Sequence, residues 1–331
     1  MSVKDTVFSV LKDTSNDGGW VSGQELADAC GVTRTSVWKA VKSLQACGAE
    51  IEAVTNKGYR LLRTNIFNAE SIRSFLADKS VQVDFFDKID STNTEGKRRI
   101  VSGDAKKLHR SVIVAAEQTE GRGRLGRKFY SPVNTGIYLS ILYSPGKISS
   151  PGLFTANAAV GVSRAIKKVY GVECGIKWVN DIFIGGKKIC GILTEGVTDF
   201  ESGMIEAAVI GIGVNIMNNA LLPQDVAGGV YSECSGVDTK RSELAAEIVN
   251  ETLLILDGGE SAVNESMKEY KARSILIGRE IEVTPVIGQD EGKYFCTPVD
   301  ITEDAKLVVR LSDGSEKMLD CGEVSINSSK V

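Results

Sequence analysis

Arginine and glycine alternate through Gly121-Arg-Gly-Arg-Leu-Gly-Arg127, and Lys177, Asn180, Asp181 and Lys188 follow downstream. Glycine lets a backbone approach a ligand closely, and arginine offers a planar fork of donors that fits a carboxylate or a phosphate. A loop that does both is suited to wrapping an anion. A single lysine in an apolar strand is usually an edge residue with its head in water. Lys177 and Lys188 both interrupt such runs, beside Asn180-Asp181, and together they extend the anion site. The three glycines also match G-x-G-x-x-G, but the context of a dinucleotide loop is missing. That loop needs a helix directly after the glycines and an acidic residue about 20 positions on. Here Lys128-Phe-Tyr-Ser-Pro132 follows, Pro132 biases Ser131 toward extended backbone, and no acidic residue lies between Gly126 and Pro145. A Rossmann or kinase phosphate loop is therefore excluded.

Other constellations say less. In Asp90-Ser-Thr-Asn93, Ser91 or Thr92 can cap a following helix whose free backbone donors would suit a carboxylate or amide, although an ordinary cap explains the pattern as well. The one histidine, His109, sits in a polar stretch, which argues against a histidine-based nucleophilic triad. Seven cysteines (30, 47, 174, 190, 234, 296, 321) are scattered and never form C-x-x-C, so they read as reduced thiols of a cytosolic protein, not as metal ligands.

The elements that must hold these residues fall into three parts. The 331 residues suffice for two or three domains, with 25% charged residues, 42% hydrophobic residues and a net charge of −4. The longest strongly apolar stretch, 207–217, is too short for a bilayer, and the N-terminus lacks the apolar core of a secretory signal.

Residues 1–64 read as a winged helix-turn-helix. Ser22-Gly-Gln-Glu25 has the form of a capping box, the short helix it opens ends at Gly31, and Thr33 caps a second helix with Val37, Val41 and Leu44 inward. Its outer face carries Arg34, Trp38 and Lys42, with Thr35, Ser36 and Lys39 beside them, placed to meet base edges and phosphates. Two β-rich runs around Thr55-Asn-Lys57 form the wing, with Lys57 and Arg60 near the DNA backbone. Eight Lys/Arg against seven Asp/Glu leave this segment almost neutral, so the clustering on the second helix carries the DNA reading. The alternative is a helical interaction module with a solvated charged face.

Residues 65–273 alternate strand-like and helix-like segments, including an amphipathic helix over 153–170 and a hairpin turning at Gly185-Gly186. Residues 274–331 break into short alternating runs at 279–284, 293–297, 298–301, 306–311, 316–319 and 323–326, expected to form a small β-barrel.

Taken in order and spacing, Asp-Ser-Thr-Asn, Gly-Arg-Gly-Arg-Leu-Gly-Arg-Lys-Phe-Tyr-Ser-Pro, Lys-Trp-Val-Asn-Asp, Lys-Ile-Cys-Gly-Ile-Leu and Gly-Ile-Gly-Val-Asn resemble the biotin protein ligases. With the winged helix, the chain resembles end to end the bifunctional bacterial biotin ligases that also repress the biotin operon. The resemblance implies a multidomain α+β fold with a central α/β domain like that of biotin/lipoate ligases and class II synthetases, and an SH3-like C-terminal barrel. It also implies the chemistry. Biotin's carboxylate attacks the α-phosphate of ATP to give biotinyl-5′-AMP, with Mg²⁺ assisting, and a lysine of a biotin carboxyl carrier protein then takes the biotin.

On this resemblance Ser91, Thr92, Asn93, Gln118, Gly121, Gly123 and Gly191 belong to the biotin pocket. Arg122, Arg124 and Lys188 contact the carboxylate and phosphate, and Asp181 holds the metal. Arg127, Phe129, Lys177, Trp178, Asn180 and Asn215 lie near the nucleotide. Val179 and Leu125 depart from the family's usual proline and arginine. Operator DNA and a ligand-linked homodimer are the further partners implied, in a cytoplasmic protein. A sensor without ligase activity and a lipoate ligase are the competing functions. The retained charges oppose the first, and the arginine-glycine loop with the winged helix opposes the second.

Overall fold

The computed structural model describes residues 2–16, 18–46, 48–103, 105–144, 151–198, 205–217, 227–233, 238–284, 292–320 and 323–326. Three helices, α1 (Val3–Asn16), α2 (Gly23–Cys30) and α3 (Arg34–Ala46), precede a hairpin of β1 (Ala49–Val54) and β2 (Gly58–Thr64). The capping box forms as expected: the Ser22 side chain accepts from the Glu25 N–H, and Glu25 accepts from the Ser22 N–H. Gly31 ends α2 at φ 63°, a left-handed conformation that suits glycine. Val37, Val41 and Leu44 point inward onto Val7, Leu11 and Leu26, giving this unit its own core.

The central part contains α4 (Ala69–Phe75), β3 (Val83–Phe86), α5 (Thr92–Ser102), β4 (Val112–Ala115), β5 (Gly136–Tyr143), α6 (Pro151–Tyr170), β6 (Gly175–Lys177), β7 (Asp181–Ile184), β8 (Lys187–Thr198), β9 (Ile205–Asn215), α7 (Arg241–Asp257) and α8 (Gly259–Ala272). Its seven-stranded sheet runs β3-β4-β5-β9-β8-β7-β6; β3 and β4 are parallel and the other pairs antiparallel. Alternation along the strands separates two faces. Ile137, Leu139, Ile141, Ile192, Ile210 and Ile212 join α6 and α7 in the main core, while Leu142, Ile113 and Val209 pack with Ile100 of α5. The functional residues lie on this second face, beside the start of α5.

The segment expected to be an amphipathic helix is buried on most sides: Ala156, Ala158, Val160, Val162, Ala165 and Ile166 are all fully covered. It sits between the sheet and α7, so its apolar positions exceed one stripe.

The C-terminal part is a five-stranded antiparallel sheet in the order β13-β12-β11-β10-β14, formed by β10 (Ile281–Thr284), β11 (Tyr294–Ile301), β12 (Leu307–Arg310), β13 (Glu316–Leu319) and β14 (Glu323–Ile326). The runs at 293–297 and 298–301 merge into one strand, and a register shift between Pro298 and Asp300 accommodates the proline. Among the described residues β13 and β14 do not pair. No helix is long and apolar enough to cross a membrane.

Candidate functional site

Strand register builds the floor of the site. Lys177 on β6 faces Asp181 on β7, Asp181 faces Gly191 on β8, Gly191 faces Gly213 on β9, and Gly213 faces Tyr138 on β5. Residues directly opposite share a face, so one row crosses five strands with charges at one end and bare backbone in the middle. Its neighbour runs Leu193–Gly211–Ser140. The sequence motifs gave no signal for Ser140 as a site residue, whereas Gly211 and Gly213 belong to the Gly-Ile-Gly-Val-Asn motif; register brings all three onto the floor. A cavity of about 290 Å³ opens over this floor.

Most of the predicted residues converge on it. Ser91, Thr92, Asn93 and Gln118 form one corner. Arg122, Gly123, Arg124, Arg127 and Phe129 come from the loop above, and Lys177, Trp178, Asn180, Asp181, Lys188 and Gly191 form the charged end. Lys128, not singled out from sequence, adds another cation, and Val324 of the C-terminal sheet reaches the rim. Gly121 and Asn215 are not on the wall. Gly121 lies behind the loop, where an added Cβ would meet the Phe129 carbonyl at 2.3 Å. Asn215 ends β9 opposite Gly136 and is buried.

The loop folds back on itself: Phe129 N–H donates to Gly121 O at 2.8 Å, and Gly123 N–H to Arg127 O at 2.7 Å. At its tip Leu125 (φ 53°) and Gly126 (φ 73°) are both left-handed, and Leu125 is 55% exposed. Arg124 Nη1 donates to Asn180 Oδ1 at 3.2 Å, which ties loop to floor. The Phe129 ring lies on Gly213, where a Cβ would come within 2.5 Å of ring carbons.

Lys188 Nζ stands 2.7 Å from Asp181 Oδ1. That oxygen is buried and has no directed hydrogen bond, so the contact is an ion pair outside hydrogen-bond geometry. The Lys-Trp-Val-Asn-Asp segment is clamped from outside: Trp178 Nε1 donates to Ala305 O at 2.8 Å and the Tyr270 hydroxyl to Val179 O at 3.0 Å. Beneath the Ser91 corner, Glu195 accepts from Lys97 Nζ at 2.7 Å and Asn93 Nδ2 at 2.9 Å. Burial pushes the Glu195 carboxyl up, but the Lys97 and Asn93 bonds outweigh it and hold the group below its usual range. Burial raises the Cys190 thiol far above its usual range, so it is no nucleophile.

His109 lies away from the cavity. Its Nδ1 accepts from the Ser144 N–H at 3.0 Å, and burial lowers its pKa, so it is neutral and structural. Cys30, Cys174, Cys190 and Cys296 are free, and Cys47, Cys234 and Cys321 lie outside the described residues. Among the described residues no cluster of metal-binding side chains forms.

A second concave surface lies on the N-terminal unit, where Arg34, Thr35 and Trp38 face Thr55, Asn56 and Lys57 of the wing. Trp38 is 52% exposed, and Lys39 and Lys42 are exposed further along α3. Ser36 is half-buried and its hydroxyl pairs with Thr33 at the helix start. Arg60 pairs with Glu52 at 2.7 Å and stacks over Trp20, so only Lys57 of the two wing cations lines the groove.

Residues 85–215 match the biotin/lipoate A/B protein ligase family, and residues 11–60 match a helix-turn-helix domain family. The chain is 33% identical over 235 residues to the bifunctional ligase/repressor BirA of Bacillus subtilis, covering 70% of this chain and 69% of that one. It is 29% identical over 325 residues to the Escherichia coli protein of the same name, covering 95% of each. A solved biotin protein ligase from Aquifex aeolicus, in complex with biotin and ATP, superposes with a TM-score of 0.60 at 25% identity, covering 74% of this chain and 98% of that one.

Proposed function

This chain belongs to the biotin/lipoate A/B protein ligase family, and from that premise we propose how its own residues carry out the reaction. It is a biotin–protein ligase that uses biotin and ATP, and its helix-turn-helix domain gives it a second role as a DNA-binding repressor. The biotin carboxylate attacks the α-phosphate of ATP, forming biotinyl-5′-AMP and releasing pyrophosphate. The ε-amine of a lysine on a biotin carboxyl carrier protein then attacks the acyl carbon and releases AMP.

The observation that carries the residue assignment is the cross-strand row from Lys177 to Tyr138 beneath the arginine loop. Gly213 lets the Phe129 ring lie on the floor, Gly191 carries no side chain into the cavity beside it, and Ser91, Thr92 and Gln118 meet the ligand's ring end. Arg122, Arg124 and Lys188 sit where two anions must be brought together, and their positive charge offsets the repulsion and the charge that moves in the transition state. Phe129, Arg127, Lys177, Trp178 and Asn180 form the nucleotide side. Asn215 supports the end of β9, and Gly121 the return of the loop. Closing the loop keeps water from the adenylate. Asp181 would hold a divalent cation: its buried Oδ1 makes no hydrogen bond and has only the ion pair with Lys188, and magnesium takes one or two carboxylates with phosphate oxygens completing the shell. Bound there, magnesium would offset phosphate charge.

Arg122→Ala or Lys188→Ala should lower adenylate formation at least about a hundredfold, on the order of 3 kcal/mol. Near-normal biotin-dependent pyrophosphate exchange in either variant would remove these residues from the mechanism. Lipoate in place of biotin should give no label on a carrier domain.

The remaining assignments follow the same reading. Residues 1–64 are the operator-binding unit, 65–273 the ligase and 274–331 an SH3-like barrel, in a cytoplasmic protein. Biotinyl-5′-AMP acts as corepressor by favouring a homodimer on a palindromic operator. Footprinting checks this: biotin with ATP should extend protection to lower protein concentration, and a footprint or dimer mass indifferent to biotin would overturn it.

A further inference from the structure

The outer side of α3 carries one residue that charge does not explain. Val37, Val41 and Leu44 face inward on that helix, while the Trp38 indole is turned outward and exposed. Single exposed hydrophobic residues are common, so the position is what counts. Trp38 lines a cleft of about 750 Å³ with Arg34 and Thr35 of the same helix and Val54, Asn56 and Lys57 of the wing. Among the described residues no Asp or Glu lines it. The frame around the cleft is rigid. Val21 and Tyr59 exchange N–H···O bonds of 2.9 and 2.8 Å. At Gly58 (φ 99°) the wing passes so close to Val21 that a Cβ would collide with its carbonyl oxygen. Arg60 Cζ lies 4.8 Å and Lys57 Nζ 5.7 Å from the Trp20 ring centre. The wing is thereby fastened to the turn that leads into α2, and its distance from α3 is set before any ligand arrives.

Resting on the reading of residues 1–64 as the operator-binding unit, we propose that Trp38 is a specificity-determining residue that selects thymine by packing its indole face on the C5-methyl group. With α3 in the major groove, the cleft between helix and wing straddles a sugar–phosphate strand, beside the Lys57 cation. A helix side chain on the wall of that cleft meets the base edge next to the strand. In a pyrimidine the part of the major-groove edge nearest its own strand is C5, and among the four bases only thymine carries a methyl there. Every other major-groove group is a donor or an acceptor. The indole has one N–H donor, no acceptor and a broad apolar face. It cannot accept from adenine N6 or cytosine N4, whereas thymine offers both the O4 acceptor and the methyl. Lys39 and Lys42, exposed farther along α3, attract any duplex in a salt-dependent way. Trp38 adds preference without charge, so its share is independent of salt.

The test starts from duplexes selected out of random sequence by the full-length wild-type protein with biotin, ATP and Mg²⁺. Each thymine of a selected duplex is replaced in turn by uracil, which removes only the methyl, and binding is measured by fluorescence anisotropy. At one thymine or more in each half-site, uracil should weaken wild-type binding about fourfold, the weight of one methyl-sized group left in water (about 0.8 kcal/mol). Uracil also changes the shape of the duplex, so a second arm uses Trp38→Ala, with its folding checked by thermal unfolding. That variant should bind the thymine duplex more weakly at an unchanged salt slope, and uracil at the same position should cost it nothing further. Trp38→Phe, which keeps an apolar ring, should recover part of the preference. Wild-type binding unaffected by uracil at every thymine would overturn the proposal, whether or not Trp38→Ala folds. A uracil effect of full size in folded Trp38→Ala would equally overturn it and assign the methyl to another side chain. Failure of the wild type to enrich any duplex would instead remove the operator-binding reading, and the proposal with it.

Discussion

Gly213 and Phe129 show how one absent side chain shapes the site. The ring of Phe129 rests on the Gly213 backbone, and a methyl group there would come within 2.5 Å of two ring carbons. Contacts that short force the ring to shift, because a packed site does not absorb an added methyl without movement, typically at about 1–3 kcal/mol. Gly213→Ala should therefore raise the KM for ATP roughly tenfold or more, because the displaced ring is the one assigned to the nucleotide. Gly213→Ala/Phe129→Leu should recover part of the loss. Pyrophosphate exchange as a function of ATP concentration measures both, and an unchanged KM in the single variant would remove Phe129 from the nucleotide side. At this scale the sequence was informative where chemistry is carried by charge. Arg122, Arg124, Asp181 and Lys188 stand out by type, and all four line the cavity. Ser140 does not stand out, because a serine in an apolar strand becomes a site residue only once pairing sets it opposite Gly211 on one face.

Elements were legible where their local signals agree. The capping box at Ser22, the glycine at 31 and the inward spacing of Val37, Val41 and Leu44 define α2 and α3 by local signals alone. The inward positions read for α6, from Ala156 to Val169, are all buried, and its polar side narrows to Arg164, Lys167 and Lys168 because a sheet and other helices cover the rest. At Pro298 the proline suggested a strand boundary, whereas the register shift beside it lets β11 continue. For α3 the exposed side carries a testable role. Arg34 and Trp38 border the groove with the wing, while Lys42 stands exposed farther along. Lys42→Ala should weaken binding to all DNA sequences alike and reduce the salt slope by about one unit. Arg34→Ala should cost about 1–3 kcal/mol on operator and little on unrelated DNA. Binding measured across a salt series separates the two, and equal losses of Arg34→Ala on both DNAs would make Arg34 a phosphate contact instead.

Among the described residues, side chains joining the DNA-binding unit to the ligase include Lys12 with Asp238 and Arg63 with Met217, and Asn65 stands at the junction itself. Its Oδ1 accepts from Thr239 Oγ1 at 2.9 Å, and its Nδ2 donates to Asn134 O at 3.0 Å, close to the end of the loop that carries Phe129 and Ser131. Thr239 N–H also donates to Thr64 O at 3.0 Å, at the end of the wing, and Lys12 of α1 pairs with Asp238 at 2.7 Å. A ligand that moves the 121–134 segment therefore pulls on the same residue that seats the winged helix. Thermodynamic linkage makes such coupling reciprocal: if biotinyl-5′-AMP tightens operator binding, as proposed, operator tightens biotinyl-5′-AMP binding by the same factor, typically about 1–3 kcal/mol. Asn65→Ala should shrink both factors together while leaving pyrophosphate exchange near wild type, since Asn65 is not on the cavity wall. Lys12→Ala removes a half-exposed ion pair worth at most about 1 kcal/mol and should change the coupling less. Measuring both factors, by operator titration with and without ligand and by ligand titration with and without operator, checks the prediction from two sides. A wild-type coupling factor in Asn65→Ala would show that the ligand reaches the DNA-binding unit by another route, with dimer formation the remaining carrier.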